Sequence, residues 1–329
     1  MDQLVKKVNS GYRLNFMEAE HLFDSMVEGR LTESQIASSL IAMKFRQETE
    51  DELAALAAAL NRHKREFKTG STNTIDTCGT GGDGKSTVNV STAVSVILAS
   101  MGFPVVKHGN TAQSGAVGSA DIMAALGMDL EYTGSSPQEF FRKHNFVFMM
   151  APHYHPSLKS IGKVRRELKV STIFNLVGPL VNPADPDFQV IGINCRERLE
   201  FIARTIVQMG RKNIAVYSSR DGFDEISSRE KTDCILITDR GSDSFTVDPS
   251  EFFRPFEMPV VRNTEEAKEL FLEGLSGENE EITDIFSLNA ALALVTMRRA
   301  DLDEGFRIMK EHIASGMAAE KLAEIVGNS

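Results

Sequence analysis

The chain reads as an α/β protein with a small all-helical domain over residues 1–70 and a larger α/β domain over residues 71–329, in which helices flank a mainly parallel central sheet. Three observations predict this. The first seventy residues carry helical periodicity, short β-branched runs then alternate with helical patterns, and a glycine-rich stretch at 78–88 joins the first of those runs to the first of those helices.

Taken in order, Thr32-Glu33-Ser34-Gln35 and Thr49-Glu50-Asp51-Glu52 fit the capping box, in which the first side chain caps the helix and the fourth reaches back. Ile36, Leu40 and Met43 share one face of the helix that follows the first box. Leu53, Leu56 and Leu60 share one face of the other, and the Glu, Gln and Arg residues are directed to water. Residues 62–68 read as a helix end and 69–72 as a linker.

Six strands are expected at 74–78, 105–107, 146–150, 189–194, 214–218 and 234–238. An amphipathic helix at 196–209 stops at Gly210, and 245–247 adds an antiparallel edge. Residues 157–183 interrupt the alternation, with helix-like sequence followed by the breaks Gly178-Pro179 and Asn182-Pro183. No internal repeat or low-complexity tract is visible.

The stretch Cys78-Gly79-Thr80-Gly81-Gly82-Asp83-Gly84-Lys85-Ser86-Thr87-Val88 is a phosphate cradle in pattern. Glycines let the backbone turn through positive φ and bring N–H groups close to an anion, and the following helix offers unpaired N–H groups at its positive end. Residues 79–86 match the Walker spacing and 79–84 match G-x-G-x-x-G. Both readings are demoted: β-prone Thr87-Val88-Asn89-Val90 precedes the helical run, and Lys107 stands where a dinucleotide fold wants an acid. A second polar loop, Lys107-His108-Gly109-Asn110 and onward to Ala120, follows the next strand. In a parallel sheet both loops emerge at one edge, which places Lys107 to meet phosphate charge.

Composition narrows the class. A formal net charge of −10 and the lack of Lys/Arg runs disfavour nucleic acid and anionic membrane as partners. No signal peptide core or membrane span is visible, and Cys78, Cys195 and Cys234 form no C-x-x-C pair, so a cytoplasmic chain is expected. Cys78 beside the loop reads as a small buried strand residue in preference to a nucleophile. His153 and His155 lack further Cys or His nearby and read as structural or acceptor-side residues.

Further motifs follow in order: Gly118-Ser119-Ala120-Asp121, Val164-Arg165-Arg166-Glu167-Leu168, the run at 173–183 and Gly222-Phe223-Asp224-Glu225-Ile226-Ser227. With GTGGDG and KHGN, this series resembles the anthranilate phosphoribosyltransferase family over essentially the whole chain, including closing helices near 287–294 and 302–306. The resemblance implies that part of about 157–185 joins the helical domain. It also implies a homodimer, Mg²⁺, phosphoribosyl pyrophosphate (PRPP) as donor and anthranilate as acceptor.

By that resemblance the donor-binding residues are Gly79, Gly82, Asp83, Thr87, Asn89, Val90, Ser91, Thr92, Lys107 and Ser119. The acceptor-binding residues are Gly79, His108, Asn110, Arg165 and Gly178, and the metal-binding residues are Ser91, Asp224 and Glu225. The chemistry suits them. Hard Mg²⁺ takes carboxylate and hydroxyl oxygens, and an Arg165 guanidinium can pair bidentately with a carboxylate. His108 can equally be a turn histidine, and Ser91 and Ser119 can equally be helix N-caps. No residue is assigned as general acid or base, because an aromatic amine is already neutral near pH 7.

Two places depart from the family pattern. Thr111-Ala112-Gln113-Ser114-Gly115 stands where Arg-x-x-Ser-Ser is usual, and Ser218-Ser219 stands where the family has His-Gly, with no Gly-Pro-Thr from Arg229 onward. Rival readings are a paralogue with another acceptor, a pyrimidine nucleoside phosphorylase on the same fold, and a noncatalytic paralogue that binds nucleic acid.

Overall fold

In this computed structural model the described residues are 1–327 without 82, 83, 86 and 113–116, and without the side chain of residue 160. The chain divides into two compact units. One comprises Met1–Phe67, Ala151–Asp185 and Phe201–Arg211, and the other comprises Lys68–Met150, Pro186–Glu200 and Lys212–Ser329.

The first unit is helical, with helices at Asp2–Asn9, Phe16–Val27, Glu33–Arg46, Glu50–His63, Ala151–Tyr154 and Leu158–Leu168. Both expected capping boxes form. Thr32 Oγ1 accepts from Gln35 N at 3.3 Å while Gln35 Oε1 accepts from Thr32 N at 3.0 Å, and Thr49 and Glu52 do the same. A third box joins Asn15 and Glu18. Ile36, Leu40, Met43, Leu53, Leu56 and Leu60 are all buried, as their spacing predicts.

Glu52 departs from that pattern. It is wholly buried, where its carboxylate takes N–H bonds from Leu14 and Thr49 and pairs with Arg46. The cap position outranks the polar pattern, since a carboxylate with this many donors need not face water. Beneath the helices, Phe23 and Phe174 meet edge to face with centroids 6.3 Å apart. Residues 201–211 belong to this unit although they lie within the β/α alternation. The expected amphipathic helix there begins as a 3-10 turn, Arg196–Arg198, continues as Leu199–Gln208, and stops before Gly210 at φ +71°.

The second unit is built on a seven-stranded sheet. Its strands are β1 (Ile75–Gly79), β2 (Val105–Gly109), β3 (Phe146–Met150), β4 (Phe188–Gly192), β5 (Ile214–Ser219), β6 (Thr232–Thr238) and β7 (Gly241–Val247). The order is β3-β2-β1-β4-β5-β6-β7, parallel from β3 to β5 and antiparallel at β6 and β7. All expected strands are present. β7 starts earlier than its apolar residues suggest, because its exposed residues 241–244 pair with β6 in register without burying a side chain.

Helix Val90–Ser100 packs on β1 and β2, and helix Glu280–Thr296 packs on β4 and β5. The latter is apolar around most of its circumference and buried from Ile282 to Leu294, as a helix enclosed by others must be. The chain runs outward from β1 to β3, then returns to the far side of β1 as β4. That reversal makes the carboxyl ends of β1 and β4 the topological switch point, where α/β sheets open a crevice for ligands.

Candidate active site

Both switch-point strands end in glycine, and the two glycines are in register, Gly79 opposite Gly192. Asp224 sits on this seam. A Cβ on Gly79 would stand 2.2 Å from Asp224 Oδ2, and one on Gly192 would stand 1.7 Å from the Asp224 carbonyl oxygen. Only two adjacent glycines let the acidic loop between β5 and β6 lie so close to the sheet edge.

The glycine-rich loop is tied to the same point. Gly81 N donates to Asp224 Oδ2 at 2.8 Å, and Gly81 and Gly84 take the positive φ that the sequence predicts, +61° and +71°. Thr80 N donates to Gly192 O at 2.9 Å, and Asn194 Nδ2 donates to Gly81 O at 2.7 Å. Gly82 and Asp83 lie outside the described residues.

Asp224 is buried and Glu225 half-buried in the turn that follows Gly222 at φ +84°. The next residue is anchored from the helical layer: Ile226 N donates to Asn289 Oδ1 at 2.9 Å and Asn289 Nδ2 donates back to Ile226 O at 3.3 Å. Burial, and then the charges of Glu225 and Asp224, hold the Tyr217 hydroxyl well above its usual pKa. Tyr217 therefore stays neutral beside the pair.

Helix Val90–Ser100 begins one residue earlier than the β-prone sequence suggests, with Asn89 in the cap position. Ser91 is thus inside the first turn and is not an N-cap. The Asn89 side chain does not cap either; its Nδ2 donates to Val117 O at 3.0 Å and so joins this loop to the one after β2. In this first turn Val90 N donates to Val88 O at 2.8 Å and Thr92 N to Asn89 O at 3.1 Å, which leaves the Ser91 N–H as the donor the turn offers an anion. Val90 and Thr92 are buried, Thr87 is half-buried, and Thr92 Oγ1 has no hydrogen-bond partner among the described residues.

Lys107 reaches the site from beneath. It is buried in β2, and its ammonium donates to Thr77 O at 2.7 Å and to Ser91 Oγ at 3.3 Å. Burial lowers its pKa, and the charge of Asp76 opposes that. Ser119 is the first residue of helix Ser119–Ala125 and not its N-cap; Asp121 takes the Gly118 and Ala112 N–H groups in that role. Ser119 Oγ donates to Asn110 O at 3.3 Å and lies over Gly109. Asn110 Oδ1 accepts from Thr111 N, and His108 N donates to Asp76 Oδ1 at 3.4 Å. Of the divergent stretch after Asn110, residues 113–115 lie outside the described residues.

Arg165 and Gly178 belong to the helical unit. The Arg165 guanidinium is half-buried with its carbon 5.7 Å from the Phe174 ring centroid, and burial lowers its pKa, whereas Arg166 is exposed. Gly178 opens the 3-10 turn Gly178–Leu180. His155 is structural: its Nε2 lies 2.8 Å from Val181 O, which can only accept, and burial pushes the ring down to about 4. Cys78 is buried with its thiol pushed well up by burial, as suits an inert strand residue.

Among the described residues no group of three or more His, Cys, Asp or Glu side chains could hold a metal ion. The Asp224 and Glu225 carboxylates and the Ser91 hydroxyl are nevertheless oxygen donors of the kind Mg²⁺ takes. That ion takes one or two carboxylates with substrate oxygens and water, and the two glycines leave Asp224 a cradle that a Cβ would fill.

Three residues of the site carry too little signal for sequence reasoning: Gly192, Asn194 and Asn289. Gly192 alone had one, a glycine closing an otherwise β-branched run.

The helical bundle domain model of the glycosyl transferase family matches residues 2–64, and its a/b domain model matches residues 71–319. Anthranilate phosphoribosyltransferase of Syntrophomonas wolfei is 36% identical over 332 residues, covering 100% of this chain and 97% of that one. The crystal structure of anthranilate phosphoribosyltransferase from Thermus thermophilus matches with TM-score 0.90 and 31% identity, covering 99% of this chain and 98% of that chain. The Saccharomyces cerevisiae enzyme in complex with PRPP and Mg shares the fold at TM-score 0.87 and 24% identity, covering 99% of this chain and 96% of that chain. With both domain models matched and relatives aligned along its whole length, the chain belongs to the anthranilate phosphoribosyltransferase family.

Proposed function

We propose that this protein transfers the phosphoribosyl group of PRPP to anthranilate, releasing pyrophosphate, in tryptophan biosynthesis. The observation that carries this reading is the seating of Asp224 on the Gly79–Gly192 seam, with Gly81 N–H bound to its carboxylate. It supports the reading because a carboxylate, the group that would take the cation, stands beside a loop whose sequence suits phosphate.

For the donor we keep to residues expected from the sequence. With the Thr80, Gly81, Val90 and Thr92 amides bound to Gly192, Asp224, Val88 and Asn89, we assign phosphate oxygens to the Ser91 N–H in the uncapped first turn and to the hydroxyls of Thr87, Ser91 and Thr92, and Lys107 adds positive charge from below. Ser119 and Asn89 hold the loop after β2 against the same edge. Asp224, Glu225 and Ser91 hold Mg²⁺, which when bound neutralises the departing pyrophosphate.

Positive charge builds on the ribose ring as the leaving group departs, and the acceptor amine attacks without needing a base. Arg165 pairs with the anthranilate carboxylate, and Gly79, His108, Asn110 and Gly178 line the acceptor path. A guanidinium already resting on an aromatic ring is preorganised for a flat anion.

The departure at Ser218-Ser219 serves the fold. Ser219 Oγ donates to Asp221 Oδ1 at 2.5 Å and accepts from Phe223 N at 2.8 Å, and Ser218 is wholly buried. Ser219 thus braces the acidic loop, whereas the Ser218 Oγ has no hydrogen-bond partner among the described residues. We further take the protein to be a cytoplasmic homodimer. Its cysteines are free, no described helix is long and apolar enough to cross a membrane, and Met17 and Phe45 are exposed on the helical unit.

The test is to follow anthranilate fluorescence in PRPP and Mg²⁺ with and without chelator. Chelator-sensitive loss is expected. No loss with folded protein would hand the reading to a paralogue with another acceptor.

A further inference from the structure

The lysine of the Walker-like spacing is not used by the donor residues above, and the structure gives it another partner. Lys85 Nζ donates to the carbonyl oxygen of Asp221 and stands 4.0 Å from the centroid of the Phe223 ring. Both contacts lie on the loop that carries Asp224 and Glu225. That loop is framed from within: the Asp221 carboxylate accepts from Ser219 Oγ at 2.5 Å and from Ser227 Oγ at 2.7 Å, and Ser227 Oγ accepts from the amides of Arg229 and Glu230, each at 3.0 Å. The loop is also held from the helical layer by Asn289 at Ile226, so its ties to the glycine-rich loop set how its carboxylates stand relative to that loop. The ties the structure describes are Gly81 N to Asp224 and the two contacts of Lys85.

We propose that Lys85 is a positioning residue that, with Phe223 as its counterpart, latches the glycine-rich loop to the Asp224–Glu225 loop and thereby sets affinity for the metal–pyrophosphate part of the donor. The inference rests on the assignment of Asp224 and Glu225 to the metal. An ammonium over a ring and on a carbonyl is held by two soft contacts at once, and arginine can make both, whereas methionine of similar length cannot donate to the carbonyl and keeps only an uncharged sulfur contact with the ring.

The experiment measures Mn²⁺ binding in the presence of inorganic pyrophosphate by electron paramagnetic resonance, with no turnover, on K85M, K85R, F223L and the double variant K85M/F223L. Melting temperatures verify folding, and steady-state KM values for PRPP and anthranilate accompany the binding data. The latch predicts that K85M weakens Mn²⁺–pyrophosphate binding by about fivefold, F223L by a comparable factor, and the double variant no further, with K85R close to wild type and anthranilate KM unmoved. A normal F223L beside a weakened K85M would show Lys85 acting on the pyrophosphate itself and would overturn the latch, as would a K85M that binds normally. D224N/E225Q separates the two levels. If it keeps wild-type Mn²⁺ binding, the metal assignment fails; if it loses binding while K85M does not, only the latch fails.

Discussion

Asp224 lies against Gly79 so closely that its Oδ2 occupies the place of a side chain, 2.2 Å from where a Cβ on Gly79 would be. The acidic pair and the glycine-rich loop, about 140 positions apart in the chain, therefore share one point at the end of β1.

G79A and G192A test that seam. At Gly79 the new methyl displaces a side chain, and at Gly192 it meets backbone, so G192A should be the worse of the two. We expect G192A to cost about 1–3 kcal/mol of stability by thermal unfolding. We expect G79A to lower kcat/KM at least roughly tenfold at limiting Mg²⁺ with little change in melting temperature.

D224N/E225Q keeps the volume of both side chains and removes their charge. Turnover at saturating PRPP and anthranilate should fall by roughly a thousandfold, with no recovery on adding Mg²⁺. Retained Mg²⁺-dependent turnover would remove the pair from the metal.

R165A should raise KM for anthranilate by about tenfold or more and leave KM for PRPP near wild type. Arg166 is exposed, so R166A is the matched control and should change neither. An effect confined to PRPP would take Arg165 out of the acceptor site.

His155 makes stability fall in acid. Its folded-state pKa, about 4, is below the ordinary 6.5 because burial opposes the charged ring. Above 6.5 both states hold a neutral imidazole, and between 6.5 and about 4 only the unfolded chain takes the proton. This residue's contribution is thus complete above 6.5 and lost as pH falls to about 4, in total about 3 kcal/mol. H155N should flatten the urea-unfolding free energy across that window.

Cys78 and Cys234 are buried with thiol pKa values raised by burial, so neither should react with iodoacetamide in native protein at pH 8. Mass spectrometry of the alkylated protein should find both unmodified and activity intact. Rapid inactivation by modification at Cys78 would return it to consideration as a nucleophile.

The strands and most of the helices follow from local pattern. Alternation of β-branched runs with amphipathic stretches, and capping boxes at Thr32 and Thr49, depend on neighbours a few positions away, which one chain displays in full. The residue types of the site were also legible, since glycines that turn and carboxylates that bind hard cations carry their chemistry in any fold. Where those residues meet is a property of the folded chain. Gly192 became essential through register with Gly79, Asn289 by packing under Ile226, and Lys85 by crossing to Phe223. Folding likewise buried Glu52, which local polarity assigns to water, because it finds enough donors inside to offset its lost hydration. Contacts between residues far apart in the chain leave no periodic trace in it, and the sheet order that reverses between β1 and β4 is what brings them together.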